Sequence, residues 1–182
     1  FRLQTIDDAD AIVASLPAMQ EAIVVGGGFI ALEFLEFFFV HQIPTTLLCR
    51  NKNFFGEALD SDGIDLIHTN FQKHKINFMF GDEAKIIFGR DTVEGIATKQ
   101  DVKVSGNVIG LGIGLLRRME FLEGSGIEKG ERGITTNEYL ETNVADIWAA
   151  GDVSEFYDAV VGKRHTHGNW TNAFLQGEIA GL

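Results

Sequence analysis

An apolar run, Ile23-Val24-Val25, passes straight into Gly26-Gly27-Gly28 and on into Phe29-Ile30-Ala31-Leu32-Glu33. The spacing G-x-G-x-x-A is that of a strand-to-helix turn able to hold the pyrophosphate of a dinucleotide. Gly26 permits the tight turn, Gly28 lets the backbone approach phosphate, and Ala31 keeps the helix close to its strand. Gly27 completes the loop, and Phe29 and Ile30 open the helix. The first N–H groups of that helix lack intrahelical partners and sit at the positive end of its dipole, so they form an anion site without a basic side chain. A purely structural turn also uses glycines, so the loop alone leaves two readings. A second apolar run, Thr45-Thr46-Leu47-Leu48-Cys49, ends about 20 residues on, where a βαβ nucleotide unit places its ribose-reading residue. That spacing favours the dinucleotide.

The ribose-reading position carries no Asp or Glu. Cys49 stands there, followed by Arg50, Asn51 and Lys52. A carboxylate would repel a 2′-phosphate, whereas two cations attract one, and Arg grips phosphate with two parallel hydrogen bonds. The charge pattern therefore favours NADP(H) over NAD(H). The other reading of Arg50 and Lys52 is a pair of solvated loop charges.

Three further groups bear on chemistry. His165 and His167, flanked by Lys163 and Arg164, have the i, i+2 spacing of a loop, with no carboxylate or Cys next to them, so no metal site is assigned. Glu33 and Glu36, at i, i+3 on a helix, have the geometry of an acid–base pair but no evident substrate pocket. Cys49 ends a core strand with no His placed to activate it, so no nucleophile is assigned and no catalytic residue emerges from spacing.

With 182 residues and 45% apolar content the chain can bury a real core. A single Cys excludes an internal disulfide framework and a redox cysteine pair within these residues, and fits a reducing compartment such as the cytoplasm. No apolar run approaches the roughly 18 residues that span a bilayer, and no signal-peptide pattern opens the sequence, so it reads as soluble. A formal charge of −11 argues against nucleic acid as a partner. An anionic nucleotide must then meet local positive charge within a negative global field.

These groups are positioned by a predicted α/β succession. A helix over 5–16 starts at Thr5 or Asp7, and the glycine turn opens a second helix over 29–41. Phe34, Phe37, Phe38 and Phe39 exceed one amphipathic stripe, which leaves two readings: a helix buried between sheet layers, or an aromatic surface packed on another domain or subunit, leaving a homodimer open. A helix over 60–75 presents Ile64, Ile67 and Phe71 to a core, and a third parallel strand covers 76–80. Short strands over 84–88, 92–98 and 101–104 form an antiparallel meander in place of a crossover helix. A strand over 107–111 returns to the parallel sheet and leads into Gly112 and Gly114, at the strand end where open α/β sheets bind ligands.

The segment 134–153, Ile-Thr-Thr-Asn-Glu-Tyr-Leu-Glu-Thr-Asn-Val-Ala-Asp-Ile-Trp-Ala-Ala-Gly-Asp-Val, closely resembles the second flavin-binding motif of the FAD-dependent pyridine nucleotide-disulfide oxidoreductase superfamily. Phe156-Tyr157-Asp158, Gly168-Asn169-Trp170-Thr171-Asn172-Ala173 and Gln176-Gly177 resemble most the branch of rubredoxin and ferredoxin reductases, nitrite reductase flavoproteins and apoptosis-inducing factor. The glycine loop, the meander and Gly112-Ile113-Gly114 fall in the same family order. By this resemblance Gly151 and Asp152 meet FAD, with Asp152 on its ribityl or pyrophosphate part, and Glu33 lies near the meeting of nicotinamide and flavin. Residues 1–112 are then a Rossmann-like three-layer NAD(P)H domain, and 113–182 the returning portion of a split FAD domain. Leu115-Leu116-Arg117-Arg118 departs from the family's usual Val-Arg-Pro-Asn.

The resemblance implies a flavoprotein that binds NAD(P)H, passes hydride to FAD, and releases electrons to a carrier protein or small-molecule acceptor. Residues 1–182 include neither the superfamily's first G-x-G-x-x-G nor its C-terminal interface domain. The expectation is therefore a part of a larger flavoprotein that does not turn over alone. A non-catalytic dinucleotide-binding module and an unrelated Rossmann dehydrogenase are the alternatives.

Overall fold

In the computed structural model, which describes residues 1–55, 59–160 and 162–182, the chain falls into two units, Phe1–Gly114 and Leu115–Leu182. The first unit is built on four parallel strands, β1 (Ala22–Gly26), β2 (Thr45–Cys49), β3 (Ile76–Phe80) and β7 (Val108–Gly112), in the order β3-β2-β1-β7. Their residues are apolar almost without a break because both faces are covered. Ala22, Val24, Leu47 and Val108 point to a helical layer, while Ile23, Leu48 and Ile109 point the other way. The other layer is an antiparallel sheet of β4 (Ala84–Gly89), β5 (Val93–Thr98) and β6 (Lys103–Ser105), whose Ile96 packs on Ile23, Leu48 and Ile109. Helix, parallel sheet and meander make the expected three layers.

Helix α1 (Ile6–Ser15) starts at a reciprocal cap: Thr5 Oγ1 accepts from Asp8 N–H at 3.1 Å, and Asp8 Oδ2 accepts from Thr5 N–H at 3.0 Å. Helix α2 (Phe29–Val40) follows the glycine turn, and α3 (Ser61–Lys73) is capped by Asp60, whose Oδ1 accepts from Gly63 N–H at 2.9 Å. Phe34 and Phe38 of α2 are buried and stack at 6.1 Å, and Phe37 is half-buried against the same core. Each fully buried ring is worth about 1.5–3 kcal/mol of transfer free energy. The buried-helix reading thus accounts for three of the four phenylalanines. Only Phe39 is exposed, at 40%, with its ring 4.2 Å from His74.

One element boundary and one buried face differ from expectation. The predicted strand over 101–104 starts later, because Asp101 adopts a left-handed φ of 61° in a turn that Thr98 closes by accepting from Asp101 and Val102 N–H. In α3, Phe71 reaches the core, whereas Ile64 and Ile67 are only half-buried.

The second unit holds a small sheet of β8 (Ile134–Thr135), β9 (Ser154–Asp158) and β10 (Lys163–His165), with β8 parallel and β10 antiparallel to β9, and then α4 (Trp170–Ala180), capped by Asn169. Its hydrophobic cluster of Leu122, Ile134 and Ala149 is small, and long loops held by polar contacts make up much of the unit. No helix of the described residues is long and apolar enough to cross a membrane.

Gly110 and Gly112 set the height of α2 above the sheet. A Cβ on Gly110 would lie 2.7 Å from the Phe34 ring, and one on Gly112 would lie 2.9 Å from Ala31 Cα. Gly112→Ala is therefore expected to destabilise the chain by about 1–3 kcal/mol, read as a fall in the urea-unfolding midpoint; an unchanged midpoint would refute the close approach.

Asp82 ties the start of the meander to its 98–102 turn. Burial raises its carboxyl, but the nearby Thr98 hydroxyl and Lys99 N–H, together with the N–H groups of Glu83 and Gln100 that donate to Oδ1 at 2.8 and 3.3 Å, outweigh this and hold it below 3.8. A depressed carboxyl contributes stability above its unfolded value and loses it as pH falls through the folded one. The stability gap between wild type and Asp82→Asn, measured by urea unfolding, should be largest near neutrality and shrink below pH 3.8. A gap that does not change with pH would contradict it.

Candidate functional site

The three glycines after β1 occupy three different environments. Gly26 has φ 139°, and a side chain there would run into the Gly112 carbonyl on the neighbouring strand. Gly27 lies against Cys49 Sγ, and its carbonyl accepts from Phe55 N–H at 2.8 Å. Gly28 alone faces open space, with nothing among the described residues within 4 Å of where a Cβ would stand. It is also the N-cap of α2, and no side chain caps that terminus. The first-turn donors of a 12-residue helix therefore point to a space that a ligand's oxygens can enter.

Because β1, β2 and β7 are adjacent and parallel, their C-terminal ends share one edge of the sheet. That edge gathers the glycine turn, the residues after β2 and those after β7. Arg50 and Lys52 are exposed there, and among the described residues neither forms an ion pair. Gly81 N–H donates to the carbonyls of Cys49 at 2.9 Å and Asn51 at 3.2 Å, which fixes the path of this turn. Of the two glycines singled out after β7, Gly112 is enclosed beneath α2, whereas Gly114, with φ 94°, has open space around it. Gly112 acts by packing.

Phe29 is 60% exposed and its ring meets Phe55 at 5.1 Å; Ile30 is also exposed. Glu33 lies one turn further along α2, at the border of a shallow apolar cavity of about 100 Å³ lined by Leu3, Ile12, Val13, Phe34 and Phe37. Glu36 is exposed outside that lining. The two carboxylates do not share a pocket, as an acid–base pair would require.

In the second unit, Gly151 takes φ 83° and donates its N–H to Gln176 Oε1 at 2.7 Å, so the nearly buried Gln176 of α4 holds the Gly151-Asp152 turn. Arg117 Nε donates to the Asp152 carbonyl and Nη2 to Thr166 Oγ1 at 3.3 Å. The Asp152 carboxylate is half-buried and, among the described residues, accepts no hydrogen bond. Behind the turn, Thr136 Oγ1 and Ser154 Oγ are buried 3.0 Å apart, and Arg164 donates to the carbonyls of Thr136 and Glu155. Sequence reading missed the role of Arg117, which stood out only as a departure from the family pattern. It also missed a carboxylate: the hairpin brings Asp158 to 3.0 Å from His165.

A parallel sheet with a glycine turn, covered by helices on one face and a meander on the other, defines the first unit as a Rossmann-like α/β fold. The chain matches the family described as pyridine nucleotide-disulphide oxidoreductase over residues 1–177, and it belongs to that family. It is 31% identical over 157 residues to the coenzyme A disulfide reductase of Staphylococcus aureus (strain bovine RF122 / ET3-1), covering 85% of this chain and 35% of that protein. It is 29% identical over 147 residues to the CoA-dependent NAD(P)H sulfur oxidoreductase of Pyrococcus abyssi, covering 80% and 32%. The ferredoxin reductase for the CYP199A2 system of Rhodopseudomonas palustris superposes with a TM-score of 0.90 at 20% identity, over 99% of this chain and 45% of that one. The chain thus spans about a third of the length of these curated relatives.

Cys49 is buried beneath the glycine turn, its Sγ 3.8 Å from the Asn53 carbonyl. Burial pushes its thiol up, against the Asn51 backbone and the nearby Arg50 charge. The thiol therefore stays protonated through neutral pH. Alkylation at pH 7 should run at least about ten-fold slower in the folded chain than in urea. Equal rates would show the turn to be open.

Proposed function

We propose that this chain binds a pyridine nucleotide at the Gly26-Gly27-Gly28 turn and is the nucleotide-binding part of an NAD(P)H-dependent flavoprotein oxidoreductase. One observation carries the reading: among the described residues Gly28 is open, at a helix N-terminus that no side chain caps, and Arg50 and Lys52 on the same sheet edge form no ion pair. The residues present fit a dinucleotide. Gly28 and the N–H groups of Phe29 and Ile30 would receive the pyrophosphate, and Arg50 with Lys52 a 2′-phosphate, which makes NADPH the preferred form.

The second unit fits a flavin. The Asp152 carboxylate, which accepts no hydrogen bond among the described residues, would serve as an acceptor for ribityl hydroxyls, with Gln176 and Arg117 holding the backbone of its turn. Residues 1–112 then act as the NAD(P)H domain and 113–182 as part of the FAD domain. When both cofactors are bound, the nicotinamide supplies hydride and the flavin accepts it. The chain would contribute orientation and charge: Glu33 lies one turn along α2 from the end that would receive the pyrophosphate, and the cations would counter a global charge of −11.

The electrons then pass to an acceptor. Several relatives are named for sulfur or coenzyme A disulfide as substrates. Within these residues the one cysteine is buried, so no dithiol relay runs through them; the acceptor is a carrier protein or a small molecule. A single reduced Cys accords with the cytoplasm. The exposed Phe39 edge leaves room for a homodimer.

Parallel titrations with NADPH and NADH, followed by fluorescence, test the site. NADPH is expected to bind tighter, with Arg50→Ala removing about 10–100-fold of its affinity and little of that for NADH. Gly28→Ala, whose φ of −121° admits a side chain, should weaken both nucleotides at least about ten-fold while the chain stays folded. Equal affinities would refute the NADP preference, and binding indifferent to Gly28→Ala would refute the site.

A further inference from the structure

The hairpin of β9 and β10 brings together three side chains that the nucleotide reading does not use. Its cross-strand pairs are Lys163↔Asp158, Arg164↔Tyr157 and His165↔Phe156, which sets Asp158 and His165 diagonally across the two strands. His165 Nε2 lies 3.0 Å from Asp158 Oδ2. The His165 and His167 rings are 4.3 Å apart, and both rest on the Phe156 ring, at 5.1 and 5.5 Å. One ligand atom from each of Asp158, His165 and His167 falls within 4.8 Å of the other two, and all three residues are half-buried.

We propose that Asp158, His165 and His167 form a binding site for one divalent transition-metal ion of the zinc class. Two imidazoles and one carboxylate are a donor set for Zn²⁺ and its transition-metal neighbours, whereas Mg²⁺ and Ca²⁺ require mostly oxygen ligands. Tetrahedral zinc with bonds of about 2.0–2.2 Å spaces its ligand atoms by roughly 3.3 Å. The His165–Asp158 separation already meets this, and His167 closes the remaining gap by turning on its side-chain torsions. Asp158 is held in position, since its Oδ1 accepts from Val160 N–H at 2.8 Å, and its Oδ2 lies against the imidazole.

The charges around the hairpin are compatible with a cation. Arg164 is committed to the carbonyls of Thr136 and Glu155, and Lys163 is exposed. Half-burial leaves an entry path, and three protein ligands leave a fourth position for water or a small anion. With ligands drawn from both sides of the hairpin, the ion would tie β9 to the segment after β10.

The untagged chain, stripped with a chelator, is titrated with Co²⁺ and then Zn²⁺. One Co²⁺ per chain should bind with visible ligand-field absorption, which Zn²⁺ abolishes and excess Mg²⁺ leaves unchanged. His167→Ala and Asp158→Asn should each weaken Zn²⁺ at least about ten-fold, the effect of losing even a supporting contact to a ligand, with far-ultraviolet circular dichroism unchanged. Asp158→Asn keeps an acceptor for Val160. His41→Ala and His74→Ala, at exposed histidines elsewhere, should bind as the wild type does. Zn²⁺ should also raise the melting temperature of the wild type and not of Asp158→Asn. Non-stoichiometric binding, or Zn²⁺ affinity unchanged in His167→Ala, would reduce the cluster to a hydrogen-bonded His–Asp pair and overturn the proposal.

Discussion

The close approach of α2 to β1 and β7 is the constraint on which the first unit depends. Gly110 leaves room for the Phe34 ring, and Gly112 for the backbone of Ala31, so the helix lies lower than any side chain at those positions would allow. Ala31 and Phe34 are buried as a result, and the helix axis is fixed relative to the strand it follows. A chain that must leave β1 and enter so low a helix has few residues for the turn, and only a glycine at position 26 supplies the required φ beside the Gly112 carbonyl. Packing in the core therefore determines where Gly28 points.

The same constraint orders the electrostatics. The donors of the first turn of α2 are fixed in place by backbone geometry, so they complement an anion without the conformational entropy that a flexible lysine would lose on binding. Arg50 and Lys52 add charge from the neighbouring strand end, on longer and freer side chains. Fixed dipoles near the turn and exposed cations further along are what the proposed nucleotide would call for, since its pyrophosphate is common to NADH and NADPH and the 2′-phosphate is not. Cys49 belongs to the rigid part: its buried sulfur fills the space behind Gly27.

Much of the first unit was legible in the sequence, because its signals are local. Periodicity placed all four parallel strands and three helices, and the meander followed from short β-branched runs between turn residues. What periodicity could not supply was the division of labour among the glycines. Gly26, Gly28, Gly112 and Gly114 look alike in sequence, and only the fold separates a glycine that packs from one that faces open space. The phenylalanines of α2 were ambiguous for a related reason. A helix covered by its own sheet and loops can be apolar almost all round, and sequence does not say which neighbour does the covering.

The second unit was harder to read because few of its determinants are local. Arg117 meets Asp152 and Thr166, Gln176 meets Gly151, and Arg164 meets Thr136 across long sequence separations. None of these pairs has a spacing that a helix or strand period would reveal. With so small an apolar cluster, such polar contacts carry much of the definition of the turn that presents Asp152. The hairpin shows the same principle in reverse. Asp158 and His165 are seven positions apart, and the antiparallel register converts that separation into a 3.0 Å approach. Chemistry written across a hairpin becomes visible only once the register is known, since a slip by one residue would turn His165 to the opposite face.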